Sequence, residues 1–439
     1  MEHLHELVQQ NAVMISAIIL VIAYIFIAWE KISKVTVALL GACATLFLGL
    51  LNSDKTPENL GEYFANYIDF NVIFLLVSMM IIVHICARSG MFKWMANEML
   101  KLTKGKPKLV LFALALFTAV ASAFLDNVTT VILVMPITFV ACKKLELDPI
   151  PFLITEILCS NIGGTATLIG DPPNIIIGSA AGFSFMDFVK ELTDIVAFIL
   201  FITIGILIFV FRKQLKSTPE KMAMVAEIDN SRTILHKGLA IRSGIVLALV
   251  ILGFVTHDIT HIPTYLIAMI GASVLMIFEK PSKLLVSVEW NTIFFFIGLF
   301  IIIGGLEAAG GIDLMAKWLL KVTEGSQAAT SMIILWASGI LSGIIDNIPY
   351  TATMAPMLAT IQSIEGAEYT HPLWWCLSLG ACLGGNMTII GAAANVIVSE
   401  TAHKNGCPIS FIRFLKYGFS ITMLALLIST GYIWLRFLR

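Results

Sequence analysis

Apolar stretches long enough to cross a bilayer follow one another along nearly the whole chain. They lie at about residues 12–29, 35–51, 70–88, 151–183, 187–211, 241–256, 262–279, 290–309, 372–402 and 411–435. Lipid offers the backbone no hydrogen-bond partner, so each crossing must satisfy its own N–H and C=O groups. The pattern therefore predicts an all-α polytopic membrane protein. Composition agrees: 58% of the 439 residues are hydrophobic and 13% charged, whereas soluble domains hold about 25% charge. A net charge of −1 gives no basic footprint for nucleic acid. No G-x-x-x-x-G-K-[ST] loop is present, so ATP hydrolysis by the chain itself is not expected. The seven cysteines form no C-x-x-C pair, so neither a metal site nor a disulfide framework is signalled, and no cofactor is called for. The first eleven residues lack a basic region, so the first apolar stretch reads as a retained helix rather than a signal peptide.

Two further stretches, 107–143 and 326–362, are apolar but interrupted midway by Asp-Asn. Each reads as a re-entrant hairpin of two helical arms. With the N-terminus outside, 22 of the 28 Lys+Arg residues fall in inside loops, Lys34, Lys55 and Arg232 being assigned in, out and in. That bias sets the orientation and places both termini outside, as fits a bacterial inner membrane.

The chain repeats itself. Asn71-Val-Ile-Phe recurs as Asn291-Thr-Ile-Phe, and Leu125-Asp126-Asn127 as Ile345-Asp346-Asn347, both at an offset of 220. Gly163-Gly164-Thr165-Ala-Thr167-Leu-Ile-Gly170 recurs as Gly384-Gly385-Asn386-Met-Thr388-Ile-Ile-Gly391 at 221, and Asn174 maps onto Asn395. Each half holds five crossings plus one hairpin. Five is odd, so the second half enters inverted. Residues 1–211 form the first repeat, 212–240 a cytoplasmic linker and 241–439 the second repeat. Inverted repeats with broken helices are the pattern of secondary transporters, not of enzymes. Met91–Leu102 and its counterpart Ile312–Val322 read as amphipathic helices lying in the interface.

Four matched segments are expected at the midplane. The hairpin tips offer Asp126, Asn127 and Thr130, and Asp346, Asn347 and Thr351. Asp and Asn are natural N-caps that leave backbone N–H groups facing a site. A carboxylate in an apolar run costs about 2.5–3.5 kcal/mol on insertion scales, which a neutral cap would avoid. In the first broken helix, Pro172 and Pro173 remove two donors and glycines weaken the flanks. It supplies Asn161, Gly163, Gly164, Thr165, Thr167, Asp171 and Asn174; the second supplies Gly385, Asn386, Thr388 and Asn395. Asp171 is the acid that the repeat does not duplicate, Ala392-Ala393-Ala394 standing opposite Asp-Pro-Pro. Asp126, Asp171, Asp346 and Glu156 are the proton-coupling candidates. Glu307 is expected at an interface, and the His257/His261 pair has too few neighbouring ligands for a metal.

At these segments the chain resembles the arsenite-permease, NhaD-type antiporter and P-protein group of the ion transporter superfamily. The matching stretches are Leu125–Thr130, Asn161–Asn174, Asp346–Ala352 and Leu383–Asn395. The resemblance implies a scaffold domain, a transport domain carrying hairpins and broken helices, alternating access and a homodimer. For an arsenite permease it also implies a soluble ATPase subunit. The function it implies first is arsenite or antimonite efflux in exchange for protons. Arsenous acid is mostly neutral, so the potential moves it only through the coupled proton, at about 2.3 kcal/mol per charge per 100 mV. A Na+ or Li+/proton antiporter and a sodium-coupled carrier of organic anions are the alternatives. Acids at both tips disfavour a bare dicarboxylate.

Overall fold

The computed structural model describes residues 10–29, 31–50, 60–226, 230 and 233–439, and among them every regular element is a helix. Lys55, Arg232 and residues 1–9 of the N-terminal segment lie outside the described residues. The first half runs α1 (Ala12–Trp29), α2 (Lys34–Phe47), α3 (Leu60–Tyr67), α4 (Phe70–Ser89) and α5 (Met91–Leu102). It continues with α6 (Pro107–Ser122), α7 (Asn127–Leu145), α8 (Ile150–Gly164), α9 (Pro172–Ala181) and α10 (Phe185–Phe211). A short α11 (Pro219–Ala226) follows. The second half holds α12 (Lys237–Val255), the single turn α13 (His257–Thr260), α14 (Thr264–Phe278), α15 (Pro281–Leu285) and α16 (Trp290–Ala308). It ends with α17 (Gly311–Val322), α18 (Gln327–Ile345), α19 (Asn347–Glu365), α20 (Ala367–Gly384), α21 (Ala393–Lys404) and α22 (Phe411–Phe437).

Every helix of the first half up to α10 has a counterpart in the second, with α13 the extra turn. Packing repeats as well. The first arm of each hairpin lies on a broken helix, α6 on α8 and α18 on α20. Other contacts exchange between the halves: α2 packs on α16 and α14 on α4, α21 on α7 and α9 on α19. The helices sort into two groups on this basis. One comprises α1, α2, α4, α12, α14 and α16. The other comprises the hairpins α6–α7 and α18–α19, the broken helices α8–α9 and α20–α21, and α10 and α22.

The crossings differ from the sequence expectation in three ways. Among the described residues eight helices are long and apolar enough to span, and two of them, Asn127–Leu145 and Gln327–Ile345, are hairpin arms. The stretches expected at 35–51 and 262–279 form helices of only 14 and 15 residues. Those at 151–183 and 372–402 are each split in two, as expected of the two broken helices. The second run of helices also starts earlier than 241, at Lys237, because nothing in Lys-Gly-Leu-Ala interrupts the helix that follows. The outer faces suit lipid: Ile18, Val21 and Ile25 of α1 and Ile241, Ile245 and Leu249 of α12 are all about half exposed or more.

Each hairpin turns at its Asp. Asp126 caps α7 by accepting from Thr129 N at 2.8 Å. Asp346 accepts from Ile348 N at 3.2 Å. Only Asp346 separates α18 from α19, and the sharp reversal holds it at φ 111°. Such a conformation costs on the order of 1–3 kcal/mol for a residue with a Cβ.

Close approach of α6 to α8 needs glycine. A Cβ on Gly163 would lie 2.1 Å from Ala119 O, and one on its counterpart Gly384 would lie 2.5 Å from Gly339 O. Gly163→Ala is therefore expected to separate the hairpin from the broken helix, an overpacking cost of about 1–3 kcal/mol. Thermal unfolding in detergent checks this, with Gly205→Ala as control, since no atom lies within 4 Å of that added Cβ.

Candidate functional site

The two helix breaks are held open by asparagine amides. In an intact helix the carbonyls after Gly164 would accept from N–H groups four residues on, but the chain turns away there. Asn174 Nδ2 takes over, donating to Thr167 O at 2.9 Å and Thr165 O at 3.1 Å. Asn395 Nδ2 does the same in the second break, to Gly385 O at 2.7 Å and Thr388 O at 2.8 Å. The threonines fasten each break to its hairpin: Thr167 Oγ1 donates to Ala123 O, and Thr388 Oγ1 to Gly343 O at 2.6 Å. Asn161 then ties the halves together, donating to Asn386 Oδ1 at 2.9 Å and Asn395 Oδ1 at 3.0 Å. Asn386 Nδ2 reaches Leu158 O at 3.1 Å, and Ser378 Oγ donates to Asn174 Oδ1 at 2.7 Å.

A cavity of about 480 Å³ opens where the tips and breaks meet. Of the residues expected at the site, it is lined by Asp126, Asn127, Asp171 and Asn347. Asp171 stands at the N-cap position of α9 but makes no capping bond with its side chain. Instead both its oxygens face Asn347 Nδ2 at 3.3 Å, across the boundary between the halves. Asp126 is half-buried and takes Thr129 Oγ1 at 2.6 Å as well as the backbone. Asn127 Oδ1 accepts from Ser122 Oγ at 2.5 Å.

The cavity also holds residues the sequence reading missed, chiefly Glu289, with Asn291 and Thr292. Glu289 precedes α16 and accepts from Thr292 Oγ1 at 3.1 Å. Its signal was present: Asp69 occupies the matching place before Asn71, so each half carries an acid there. No Lys, Arg or His is among the described residues that line the cavity.

The remaining candidates sit away from the lining of this cavity. Asn161, Asn174, Asn386, Asn395, Thr165, Thr167 and Thr388 are buried in the stitching network and do not line the cavity. Gly163, Gly164 and Gly385 act by close approach: a Cβ on Gly164 would meet Asn127 Oδ1 at 2.5 Å. Thr351 Oγ1 bonds back to Asn347 O at 2.8 Å, and Thr130 is buried with an unpartnered hydroxyl. Glu156 is buried between α7 and α8, where Thr138 Oγ1 donates to its Oε1. It is away from the cavity lining, as is Asp346. Lys34, assigned above to an inside loop, reaches Asp346 Oδ2 at 2.5 Å instead. Cys382 Sγ points at Asn174 Oδ1, 3.4 Å away, and neither Cys159 nor Cys382 lines the cavity. Glu307 is exposed and lines a smaller recess of about 130 Å³ with Asp69 and Tyr67.

Stitching and lining residues should separate by experiment. Asn161→Ala leaves two buried carbonyl oxygens without donors, worth about 1–3 kcal/mol each, and should lower Tm in detergent. Glu289→Gln leaves the network untouched and should hold Tm while reducing flux.

Comparison with known proteins places this architecture. The "46 kDa membrane protein" of Mycobacterium leprae is 40% identical over 97% of this chain and 99% of its own length. An uncharacterized transporter of Mycobacterium tuberculosis is 41% identical over 96% of this chain and 98% of its own. The P protein of Homo sapiens is 31% identical over 97% of this chain, which spans 60% of that longer protein. Among solved structures, the YdaH transporter of Alcanivorax borkumensis shares the fold at a TM-score of 0.58, with 13% identity over 94% of this chain and 98% of its own. The CitMHS family, described as "Citrate transporter", matches residues 24–380, and the chain belongs to that family of membrane transporters.

Proposed function

We propose that the chain is a proton-exchanging secondary transporter whose cargo is a neutral hydroxylated solute, arsenous or antimonous acid. The observation that carries the reading is the sign of the cavity. Asp126, Asp171 and Glu289 line it without a single basic residue among the described ones. Carboxylates so placed can hold protons or accept hydrogen bonds from hydroxyl groups, and the amides of Asn127 and Asn347 supply donors. A citrate trianion would meet three acids there, so the family's description fits this cavity only for an anion that arrives with cations. Net efflux then follows from a proton bound on one side and released on the other.

The matched packing of the halves supports inverted repeats and alternating access, with the hairpin-bearing group moving against the group built on α2, α4, α14 and α16. Residues 1–211 and 241–439 are the repeats in this reading and 212–240 the cytoplasmic linker. The Lys and Arg bias supports termini outside. A homodimer and a soluble ATPase subunit remain expectations of the resemblance.

One observation favours a second reading, Na+ or Li+/proton antiport. Oxygen atoms crowd the first break: a Cβ on Gly170 would lie 2.6 Å from Gly164 O and 2.7 Å from Ser122 O, and one on Gly164 would lie 2.5 Å from Asn127 Oδ1. Hard cations bind such oxygen sets.

Proteoliposomes carrying a pH dye separate the readings, with arsenite, sodium, lithium and citrate added in turn. The expected result is proton movement evoked by arsenite and reduced by more than about tenfold in Asp171→Asn, the loss of one charge-assisted contact. A response to sodium or lithium alone would establish the antiporter instead. A response to magnesium-free citrate alone would overturn both.

A further inference from the structure

The two hairpin tips are copies in sequence, yet the structure treats their acids differently. Asp126 lines the cavity, and the partners found for its carboxylate are uncharged, Thr129 N and Thr129 Oγ1. Asp346 is 2% exposed and is met by the ammonium of Lys34, 2.5 Å from Oδ2. The exchange is visible in the sequence of the tips. Thr129, which donates twice to Asp126, has Pro349 as its counterpart, and proline has no N–H or hydroxyl to give.

The counterpart of Lys34 can be located from packing. Gly41 of α2 lies against Ile302, the distance from its added Cβ being 2.5 Å, and Gly271 of α14 lies against Ile82 at 3.3 Å. The glycines are 230 residues apart and the isoleucines 220, so α2 and α14 align with an offset of 230. Lys34 therefore matches Thr264, the first residue of α14. The position that carries the cation beside the second tip carries a hydroxyl in the other half.

We infer that Lys34 is a tethered cation that permanently occupies the ion position at the second tip, leaving the Asp126 tip as the one that takes a mobile cation or proton. The ion pair also holds the reversed backbone at Asp346 in place. Tyr24 of α1 grips the same tip, donating to Pro349 O at 2.5 Å. The titratable and charged groups facing Asp346 are Lys34 and Tyr24 from α2 and α1, Tyr350 on its own helix, and Asp171 across Asn347. Among the described residues Lys34 is the cation of that set. Because the tether cannot diffuse away, the cycle uses one mobile ion site where the repeat would otherwise make two. This deepens the transport reading and rests on it for its effect on coupling, but the binding step can be tested without flux.

The test is thermal unfolding of the purified full-length protein in detergent. Wild type, Lys34→Gln and the double variant Lys34→Gln/Asp346→Asn are compared in sodium, lithium and choline chloride, in acidic and in alkaline buffer. Lys34→Gln exposes Asp346 to solution ions. It should gain an upward Tm shift of about 2 °C or more in sodium, lithium or acid, beyond any shift in wild type. The double variant has no carboxylate to fill and should lose that gain. Absence of the gain in Lys34→Gln, or the same gain in the double variant, overturns the inference. Should Lys34→Gln fail to fold while the double variant folds, the uncompensated carboxylate is the cause and the tethered charge is upheld. Failure of both would make Lys34 a packing residue and overturn it. If wild type moves no solute in proteoliposomes, the transport reading fails while the Tm comparison still decides this one.

Discussion

The structure depends on satisfying backbone groups where two helices are broken inside a membrane. Water is not there to take up stray carbonyls, so side chains must. Asn174 and Asn395 do this in matching places in the two halves, Asn174 reaching three carbonyls around its break and Asn395 two. Their remaining oxygens are held in turn by Ser378 and by Asn161. Asn161 spans both breaks, so neither can rewind or shift without disturbing the other. The cavity exists because this network holds four chain ends apart.

On that frame the halves diverge in their charged groups. The first break carries Asp171, whose N-cap position is unused and whose oxygens face Asn347 of the opposite tip. The second carries Ala392, Ala393 and Ala394, which line the cavity with apolar surface. One tip acid opens onto the cavity beside Glu289, and the other is closed by Lys34. A duplicated scaffold thus holds an unduplicated arrangement of charge.

Much of the fold was legible because periodic apolarity and internal repetition are local properties of a string. The Asp-Asn interruptions marked both hairpin turns, and Pro172 and Pro173 with the glycines marked the first break. The second break contains no proline and was found only through its likeness to the first. Span lengths were less legible: Lys34–Phe47 and Thr264–Phe278 end sooner than their apolar neighbourhoods do. The site was legible in part. Asp126, Asn127, Asp171 and Asn347 line the cavity, whereas Asn161, Asn174 and Asn395 stitch the breaks. Asparagine reads the same in both roles, since a buried amide serves a ligand and a stranded carbonyl with equal chemistry.

The sequence by itself determined that the chain is helical, lies in a membrane, repeats at an offset of 220, and places acids where helices stop. These follow from residue type and spacing. Which acids share a cavity was decided by the tertiary structure, because Glu289 and Asp126 come from different halves and meet only when α7 and α16 border one opening. The fate of Lys34 was decided there too. A lysine next to a span reads as a loop charge, and only the packing of α2 beside the second tip brings its ammonium to Asp346. Charge acts through distance in space, and distance between repeats is set by packing and not by position along the chain.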